Sequence, residues 1–538
     1  MRGIAYPGAM KYYYKTIREI PAACGVSQTP KNRKVKGENI MACTTLLVGK
    51  NASYDGSTMI ARNDDSGSGH FMPKKFVVVK ADEQKEKYRT VISHLDIKLP
   101  KNPLRHTEMP NAVDGEGIWA ASGVNEANVG MTATETITSN PRVLGADPLI
   151  VYKPATDGEK EVPGGIGEED IVHIVLPYIK TAREGVKRLG SLLEKYGTYE
   201  MNGIAFQDVN EIWWLETIGG HHWIAKKVPD DVYVVMPNQQ GIDDFDFVDA
   251  LGKKKEHMCS ADMKEFIESN HLNLSNIETD WRHFDVRSAF GSHDDSDHVY
   301  NTPRAWYMLR YFNPHTASWD GADADFTPSS DDLPWCLVPE KKITVEDVKY
   351  VLSSHYQGTL YDPYGAYGDK SMSGAYRSIG INRNDFLSVI QMRPDLEKDV
   401  QAVEWVAFAS NAFNVLVPFY ADVLTTPEYL SNTTGEVSTD NFYWGSRMIA
   451  AMADASYKKS IFHIERYKEK VMSRGHEIIG RYDALLAQER DADKRMELKT
   501  AANEEVAAMV KKETLETLDK VLYELSNQMK NAYSRSDA

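Results

Sequence analysis

The four cysteines of this 538-residue sequence are its first candidates for chemistry. Cys24, Cys43, Cys259 and Cys336 are far apart and form no Cys-x-x-Cys pair, so the pattern indicates neither a zinc ribbon, a dithiol redox site nor a disulfide framework. Cys43 directly precedes a β-rich run, Thr44 to Val48. Two interpretations of that position are open: a small buried core residue, or a catalytic thiol.

A break before Cys43 would supply the base that this thiol needs. If the chain is cut between Ala42 and Cys43, the new α-amine, with a pKa of about 7.7–8.0, can act as general base for its own side chain. Residues 1–42 contain no continuous apolar stretch, so we predict no secretory signal. We interpret them as a leader or propeptide that is removed. A translation start at Met41 is the simpler alternative.

A charged segment ends the second strand of a predicted hairpin. Thr44 to Val48 and Ser57 to Arg62 flank an Asp-Gly turn, which favours two paired strands. The end of the second strand then returns beside Cys43, together with Arg62 and Asp65. An arginine there favours a thiolate, and a carboxylate can hold an α-amine. A structural ion pair or turn is the alternative.

The rest of the chain predicts strands and helices in separate runs, which is typical of an α+β fold with antiparallel sheets. Helical spacing, acidic first turns and stop signals predict helices over 168–176, 181–196 and 344–355, and a helical tail over 446–534. Residues 285–339 are rich in Asp, His, Pro and aromatic residues, which predicts long ordered loops. Alternation predicts further strands at 117–121, 129–134, 203–207, 211–216, 222–226 and 232–236.

Composition limits the partners. The formal net charge of -16 argues against nucleic acid and against an anionic membrane surface, because both need clustered basic residues. No apolar run approaches the roughly 20 residues that span a bilayer. We expect a cytoplasmic protein that forms a homo-oligomer.

Several segments together resemble the C69 family of dipeptidases, which are N-terminal nucleophile hydrolases related to bile salt hydrolases and penicillin V acylases. The opening segment runs from Cys43 to Asp65, and the resemblance extends through at least Tyr420. The other segments that carry it are Gly123–Glu126 with Gly130–Thr136, Glu211–Thr217 with Gly219–Trp223, Tyr300–Trp306 and Asn411–Tyr420.

The resemblance implies a role for each matching residue. Cys43 matches the nucleophile, and Arg62 and Asp65 match residues that flank the thiol and the α-amine. Asn238 resembles the asparagine that donates to the oxyanion, and Arg304 resembles an arginine that organises the site. The reaction that follows is dipeptide hydrolysis through a thioester acyl-enzyme, with no cofactor and no metal.

Two positions depart from the pattern of the acylase relatives. Thr134 and Glu135 stand where those relatives have an asparagine or tyrosine, so the second oxyanion donor is open, and a backbone N–H can supply it. Glu135 is a candidate to bind the ammonium group of a dipeptide. The alternative is an exposed surface glutamate.

The resemblance also implies the architecture and leaves alternatives for the activity. The expected fold is a four-layer αββα sandwich, with a leader over 1–42, a catalytic domain over 43–445 and a helical extension over 446–538. An amidase on acylated amino acids, bile conjugates or penicillins is one alternative, and a non-catalytic scaffold is another. A metallohydrolase is a third, because His221–His222 and His293–His298 lie among acidic residues, without the spacing of known zinc motifs.

Overall fold

The predicted hairpin forms and lies inside a seven-stranded antiparallel sheet. The structure, a computed structural model, describes residues 43–276, 278–365 and 368–530, without the side chains of Thr134 and Glu135. The strands, numbered in chain order, follow one another across the sheet as β14 (Cys336–Leu337), β12 (Tyr233–Met236), β1 (Thr44–Val48), β2 (Thr58–Asp65), β15 (Asn384–Met392), β16 (Ala402–Phe408) and β17 (Val417–Tyr420).

A second antiparallel sheet has six strands. Their order across it is β13 (His257–Cys259), β11 (His222–Val228), β10 (Ile212–Ile218), β9 (Asn202–Gln207), β8 (Gly130–Thr136) and β7 (Ser122–Val124). Two small ribbons pair β3 (Val77–Val79) with β6 (His106–Glu108), and β4 (Lys87–Arg89) with β5 (Asp96–Lys98). The antiparallel sheets and the helices together make this an α+β protein.

The helices are distributed along the whole described chain. In chain order they are α1 (Pro141–Ala146), α2 (Glu168–Val175), α3 (Ala182–Tyr196), α4 (Phe247–Leu251), α5 (Met263–Ser269), α6 (Val286–Phe290), α7 (Asp297–Tyr300), α8 (Thr302–Phe312), α9 (Val345–Leu352), α10 (Glu428–Ser431), α11 (Phe442–Ala455), α12 (Tyr457–Leu486) and α13 (Ala492–Ser526). Within residues 43–276, 278–365 and 368–530, no helix is long and apolar enough to cross a membrane.

The two large sheets pack face to face. Leu47 and Ile60 from the seven-stranded sheet share one buried apolar cluster with Ala205 and Trp214 from the six-stranded sheet. Because side chains alternate along a strand, these residues fix which face of β1 and β2 points between the sheets. Odd-numbered residues of β1 and even-numbered residues of β2 occupy that face.

Helices cover the outer faces of both sheets. On the six-stranded sheet, Phe206 and Trp213 pack with Ile171 of α2 and Val186 of α3. On the seven-stranded sheet, apolar residues of β1, β2, β15 and β16 pack with α8 and α9, and also with parts of α12 and α13. The layers therefore run helix, sheet, sheet, helix.

The long helices α12 and α13 pack against the face of the seven-stranded sheet that points away from the six-stranded sheet. Helix α13 contacts α11, α12 and the edge strand β17. Helices α11 to α13 occupy most of the predicted helical tail, whose residues 531–534 lie outside the described residues, as does the predicted leader over 1–42. Helix α11 runs through residue 446, and the division of the chain at that residue stays a prediction.

Two sequence predictions are wrong. No strand forms at 117–121, because Gly117, Trp119 and Ala121 have φ values of 97°, 53° and 54°, which lie outside the β region. Residues 285–339 are not all loop, because α8 lies there over Thr302–Phe312. Its proline falls in the first turn, where a missing N–H costs little.

Candidate active site

The thiol of Cys43 lies between the two sheets and contacts a buried arginine. Cys43 is fully buried, and Arg62 Nη2 lies 2.8 Å from its Sγ. Both side chains belong to the face of β1 and β2 that points toward the six-stranded sheet. The other guanidinium nitrogen, Nη1, donates to the carbonyls of Ala121 and Ala133, so the arginine spans the gap between the sheets.

Two carboxylates balance the charge of Arg62. Its Nη2 lies 3.0 Å from Asp64 Oδ1 and 2.6 Å from Glu168 Oε1. Burial alone would lower the pKa of this guanidinium, but the charges of Cys43, Asp64 and Glu168 outweigh burial and raise it above its ordinary value. Arg62 is therefore a fixed cation beside the thiol, which is the environment that stabilises a thiolate.

Asp64 is the carboxylate nearest the sulfur. Its Oδ1 lies 4.0 Å from Cys43 Sγ, and its Oδ2 lies 2.9 Å from the buried Lys74 Nζ. Burial acts to raise the pKa of Asp64, but the charges of Lys74 and Arg62 lower it below its ordinary value. The thiol thus has two cations and two carboxylates around it.

Asp65 occupies the opposite face of β2. Its described contacts are an ion pair with Arg377 and a hydrogen bond donated by Asn384. Of the two residues that were predicted to lie near the thiol, Arg62 contacts it, whereas Asp65 lies on the helix-covered face of β2. Its role toward an α-amine stays a prediction.

Glu168 begins α2 among other buried acids. Burial and the charge of Asp170 raise the pKa of Glu169 to about 9, and burial and the charge of Glu168 raise that of Glu200 to about 8. Both carboxyl groups therefore keep their protons to higher pH than an exposed glutamate does. Glu168 is the acid of this cluster that contacts Arg62, over 2.6 Å.

Arg304 and Asn238 meet beside the backbone of Cys43. Arg304 Nη1 donates to the carbonyl of Cys43 and, over 2.7 Å, to Thr44 Oγ1. Its Nη2 lies 2.8 Å from Asn238 Oδ1, and Asn238 Nδ2 donates to the carbonyl of Thr136 over 2.9 Å. Because its oxygen accepts from Arg304, the Asn238 amide holds its N–H groups in a fixed orientation.

Thr134 and Glu135 lie in β8, next to Ala133, whose carbonyl accepts from Arg62. The pairing of β8 with β9 shifts register between Ala133 and Glu135. The side chains of both residues lie outside the described part of the structure. Their predicted substrate contacts stay predictions.

Among the residues that the structure describes, two groups of side chains have the composition of a metal site. One is Cys43, Asp64 and Glu168, and the other is His106, Glu108 and His173. Arg62 already fills the space between the members of the first group, with 2.6–3.0 Å contacts to all three. In the second group, the imidazoles of His106 and His173 both hydrogen-bond Oε1 of Glu108, over 2.8 and 2.9 Å. The carboxylate therefore already serves as the hydrogen-bond partner of both rings.

His221, His222 and His298, which lie among acidic residues in the sequence, each hydrogen-bond a carboxylate. His221 and His222 both bind the carboxylate of Asp147, over 2.9 and 2.6 Å. His298 pairs with Asp331 over 2.9 Å. Each contact is an ordinary hydrogen bond.

Sequence reasoning missed Asp64, Lys74, Glu168 and Arg377. One signal was available for Asp64: period-two alternation puts residues 62 and 64 on one face of β2, and antiparallel pairing of Thr44 with Asn63 sets Cys43 opposite residue 64. Lys74, Glu168 and Arg377 come from loops and a helix far along the chain. No local pattern could have assigned them.

Comparison with known proteins identifies relatives over most of the chain. Residues 42–470 match the model of peptidase family C69. The chain is 55% identical over 534 residues to a dipeptidase of Bifidobacterium longum (strain NCC 2705), with 92% of this chain and 100% of the relative covered. A probable dipeptidase A of Streptococcus pyogenes serotype M3 is 50% identical, and dipeptidase A of Lactobacillus helveticus is 41% identical; each match covers 92% of this chain, and 100% and 99% of the relative. The chain therefore belongs to peptidase family C69.

Proposed function

We propose that this chain is a cysteine-type dipeptidase whose nucleophile is Cys43, exposed as the N-terminal residue by removal of the segment before it. The observation that carries the proposal is the 2.8 Å contact between Arg62 Nη2 and Cys43 Sγ in a buried site. A structural core cysteine needs no cation, whereas a nucleophilic thiolate does. The dipeptidases among its relatives support the substrate class.

The charge around the thiol supports a free α-amine at residue 43. Arg62 and Lys74 supply two positive charges, and Asp64 and Glu168 supply two negative ones. A thiolate adds one more negative charge to this buried set. An α-ammonium on Cys43 would place a compensating positive charge beside the sulfur, and a paired charge is less costly to bury than an unpaired one.

The proposed reaction proceeds in two halves. The α-amine takes the thiol proton, the thiolate attacks the peptide carbonyl, and Asn238 donates an N–H to the oxyanion. When the C–N bond breaks, the α-ammonium returns the proton to the leaving amine and a thioester remains. Water, losing its proton to the α-amine, then attacks the thioester, and the acid product leaves as the thiol re-forms.

The layer order supports a place among the N-terminal nucleophile hydrolases. Two antiparallel sheets packed face to face, with helices outside each, support the four-layer αββα arrangement that the resemblance implies. Cys43 directly precedes β1, which lies between β12 and β2.

Intact mass and N-terminal sequencing of the purified protein test the proposal, together with a dipeptide panel assayed on the same preparation. We expect an N-terminus at Cys43, turnover of dipeptides, and loss of that turnover in Cys43→Ala. Cys336→Ala is the matched control, because that thiol is partly buried elsewhere and should leave turnover unchanged.

Three results would contradict the proposal. Active protein that begins at any residue other than Cys43 excludes the N-terminal mechanism. Turnover restricted to longer peptides, bile conjugates or penicillins excludes the dipeptidase assignment and favours an amidase. Activity retained in Cys43→Ala excludes the nucleophile, and its loss with a chelator would then favour a metallohydrolase.

A further inference from the structure

A cleft beside the active site has a volume of about 580 Å³, which suits a small ligand. Segment 68–71, which follows β2, forms one wall, and residues 374–377 and 381–383 form the other. Tyr300, Tyr376 and Ile381 contribute apolar surface, and Arg377 and Arg383 contribute positive charge. Among the described lining residues, none is acidic.

The two arginines differ in how their charge is balanced. Arg377 is buried and forms an ion pair with Asp65. Arg383 is partly exposed and donates to two neutral oxygens, the carbonyl of Ser66 and the hydroxyl of Tyr300, the latter over 2.6 Å. In the part of the chain that the structure describes, no carboxylate lies within ion-pair distance of Arg383. The cleft therefore carries a net positive charge that is held in place by hydrogen bonds.

Tyr300 connects this cleft to the nucleophile. Its carbonyl accepts from Arg304 Nε over 2.8 Å, and Arg304 in turn donates to the carbonyl of Cys43. The guanidinium groups of Arg304 and Arg377 both lie over its ring, at 5.2 and 5.1 Å from the ring centre. Through Arg304, Tyr300 thus links the lining of the positive cleft to the backbone of Cys43.

We propose that this cleft is the subsite for the C-terminal residue of the substrate, with Arg383 binding its free α-carboxylate. The inference rests on the proposed function and specifies how a peptidase of this kind selects dipeptides. The scissile carbonyl and the terminal carboxylate of a dipeptide are one residue apart, about 3.5 Å of extended chain. A guanidinium is suited to the carboxylate because it offers parallel N–H groups to both oxygens. The aromatic walls accommodate the side chain.

The test compares the best-cleaved dipeptide of the panel with its C-terminal amide, which differs only in lacking the carboxylate charge. We expect the unmodified enzyme to prefer the free acid by tenfold or more in kcat/KM. Arg383→Gln should raise KM for the dipeptide about 10- to 100-fold, change kcat less than about twofold, and leave kcat/KM for the amide unchanged. For Arg383→Lys, which keeps the charge, we expect a KM for the dipeptide between those of the unmodified enzyme and Arg383→Gln. Arg142→Gln, on an exposed helix, is the matched control.

The outcomes separate this subsite from the activity itself. If Arg383→Gln lowers kcat/KM equally for acid and amide, the arginine is structural and the subsite is wrong. An unmodified enzyme that cleaves both equally well also excludes it. If Arg383→Gln does not fold, the KM of Arg383→Lys for acid and amide decides. An enzyme with the correct N-terminus that cleaves no dipeptide overturns the proposed function, and the subsite with it.

Discussion

Arg62 Nη2 lies 2.8 Å from Cys43 Sγ and simultaneously contacts Asp64 and Glu168. One guanidinium nitrogen therefore joins the thiol to both of its nearby carboxylates. Strand pairing sets up this contact, because Thr45 lies opposite Arg62 and the two strands direct Cys43 and Arg62 to the same face. The pairing of β1 with β2 thus brings the cation to the sulfur.

Arg62→Lys should make the Cys43 thiol harder to ionise. An ammonium retains the charge, but lysine is shorter than arginine and lacks the second nitrogen that bonds the carbonyls of Ala121 and Ala133. We expect the pH midpoint of iodoacetamide alkylation at Cys43 to rise, measured residue by residue by mass spectrometry. Burial raises the pKa of Cys259 to about 12 and that of Cys336 to about 11, so these thiols serve as internal controls. An unchanged midpoint in folded Arg62→Lys would exclude thiolate stabilisation by this arginine.

Asp64→Asn and Asp65→Asn should have different effects on the same alkylation profile. Removing the negative charge 4.0 Å from the sulfur in Asp64→Asn should shift the midpoint to lower pH. Asp65→Asn should leave the midpoint nearly unchanged, because that carboxylate pairs with Arg377 on the other side of the strand. Equal shifts in both variants would contradict the assignment of the two faces.

The contrast between these neighbours shows where sequence reasoning reaches its limit. The hairpin and the nearness of Arg62 to Cys43 could be predicted, because both depend on contacts within about 20 residues. Asp64 could have been predicted from alternation alone. Glu168 and Lys74 could not, because packing of separate elements brings them to the thiol. The φ values near Trp119 and the helix at Arg304 likewise depend on tertiary packing that overrides local patterns.

Asn238→Ala should lower kcat about 10²- to 10³-fold and change KM little, which is the usual effect of removing an oxyanion donor. The amide is oriented by Arg304, so its N–H groups are in place before substrate binds. Steady-state kinetics on a dipeptide measure the effect. Gln239→Ala is the adjacent control, since its side chain donates to the carbonyl of Ser292 instead. A variant with normal kcat would remove Asn238 from the mechanism.

Glu404→Gln should stabilise the protein at pH 8 and have little effect at pH 5. Burial in β16 raises the pKa of Glu404 from 4.5 to about 8, with only a hydrogen bond from Thr107 acting to lower it. The folded protein keeps this proton while the unfolded chain loses it, so stability present below pH 4.5 decreases as pH rises toward 8. Over this range the free energy of unfolding should fall by at most about 1.4 kcal/mol per pH unit.

Urea unfolding from pH 5 to pH 9 measures the effect of Glu404. The variant should show a flatter dependence of the free energy of unfolding on pH than the unmodified protein. Glu497→Gln, on an exposed position of α13, is the control and should leave the profile unchanged. Parallel profiles for Glu404→Gln and the unmodified protein would mean that the buried carboxyl does not hold its proton.

Asn503→Ala should destabilise the whole protein, because this side chain completes the edge of the seven-stranded sheet. Asn503 Oδ1 accepts from the N–H of Tyr420 over 2.9 Å, and its Nδ2 donates to the carbonyl of Tyr420 over 3.0 Å. Among the described strands, β17 has one neighbour, β16, so α13 provides the partner that a further strand would give. Alanine leaves two buried backbone groups unsatisfied, at about 1–3 kcal/mol each.

Urea unfolding should show one cooperative transition at lower denaturant, with Asn527→Ala at the exposed end of α13 as control. Separate loss of the helices with the sheets intact would instead indicate that residues after 445 form an independent extension.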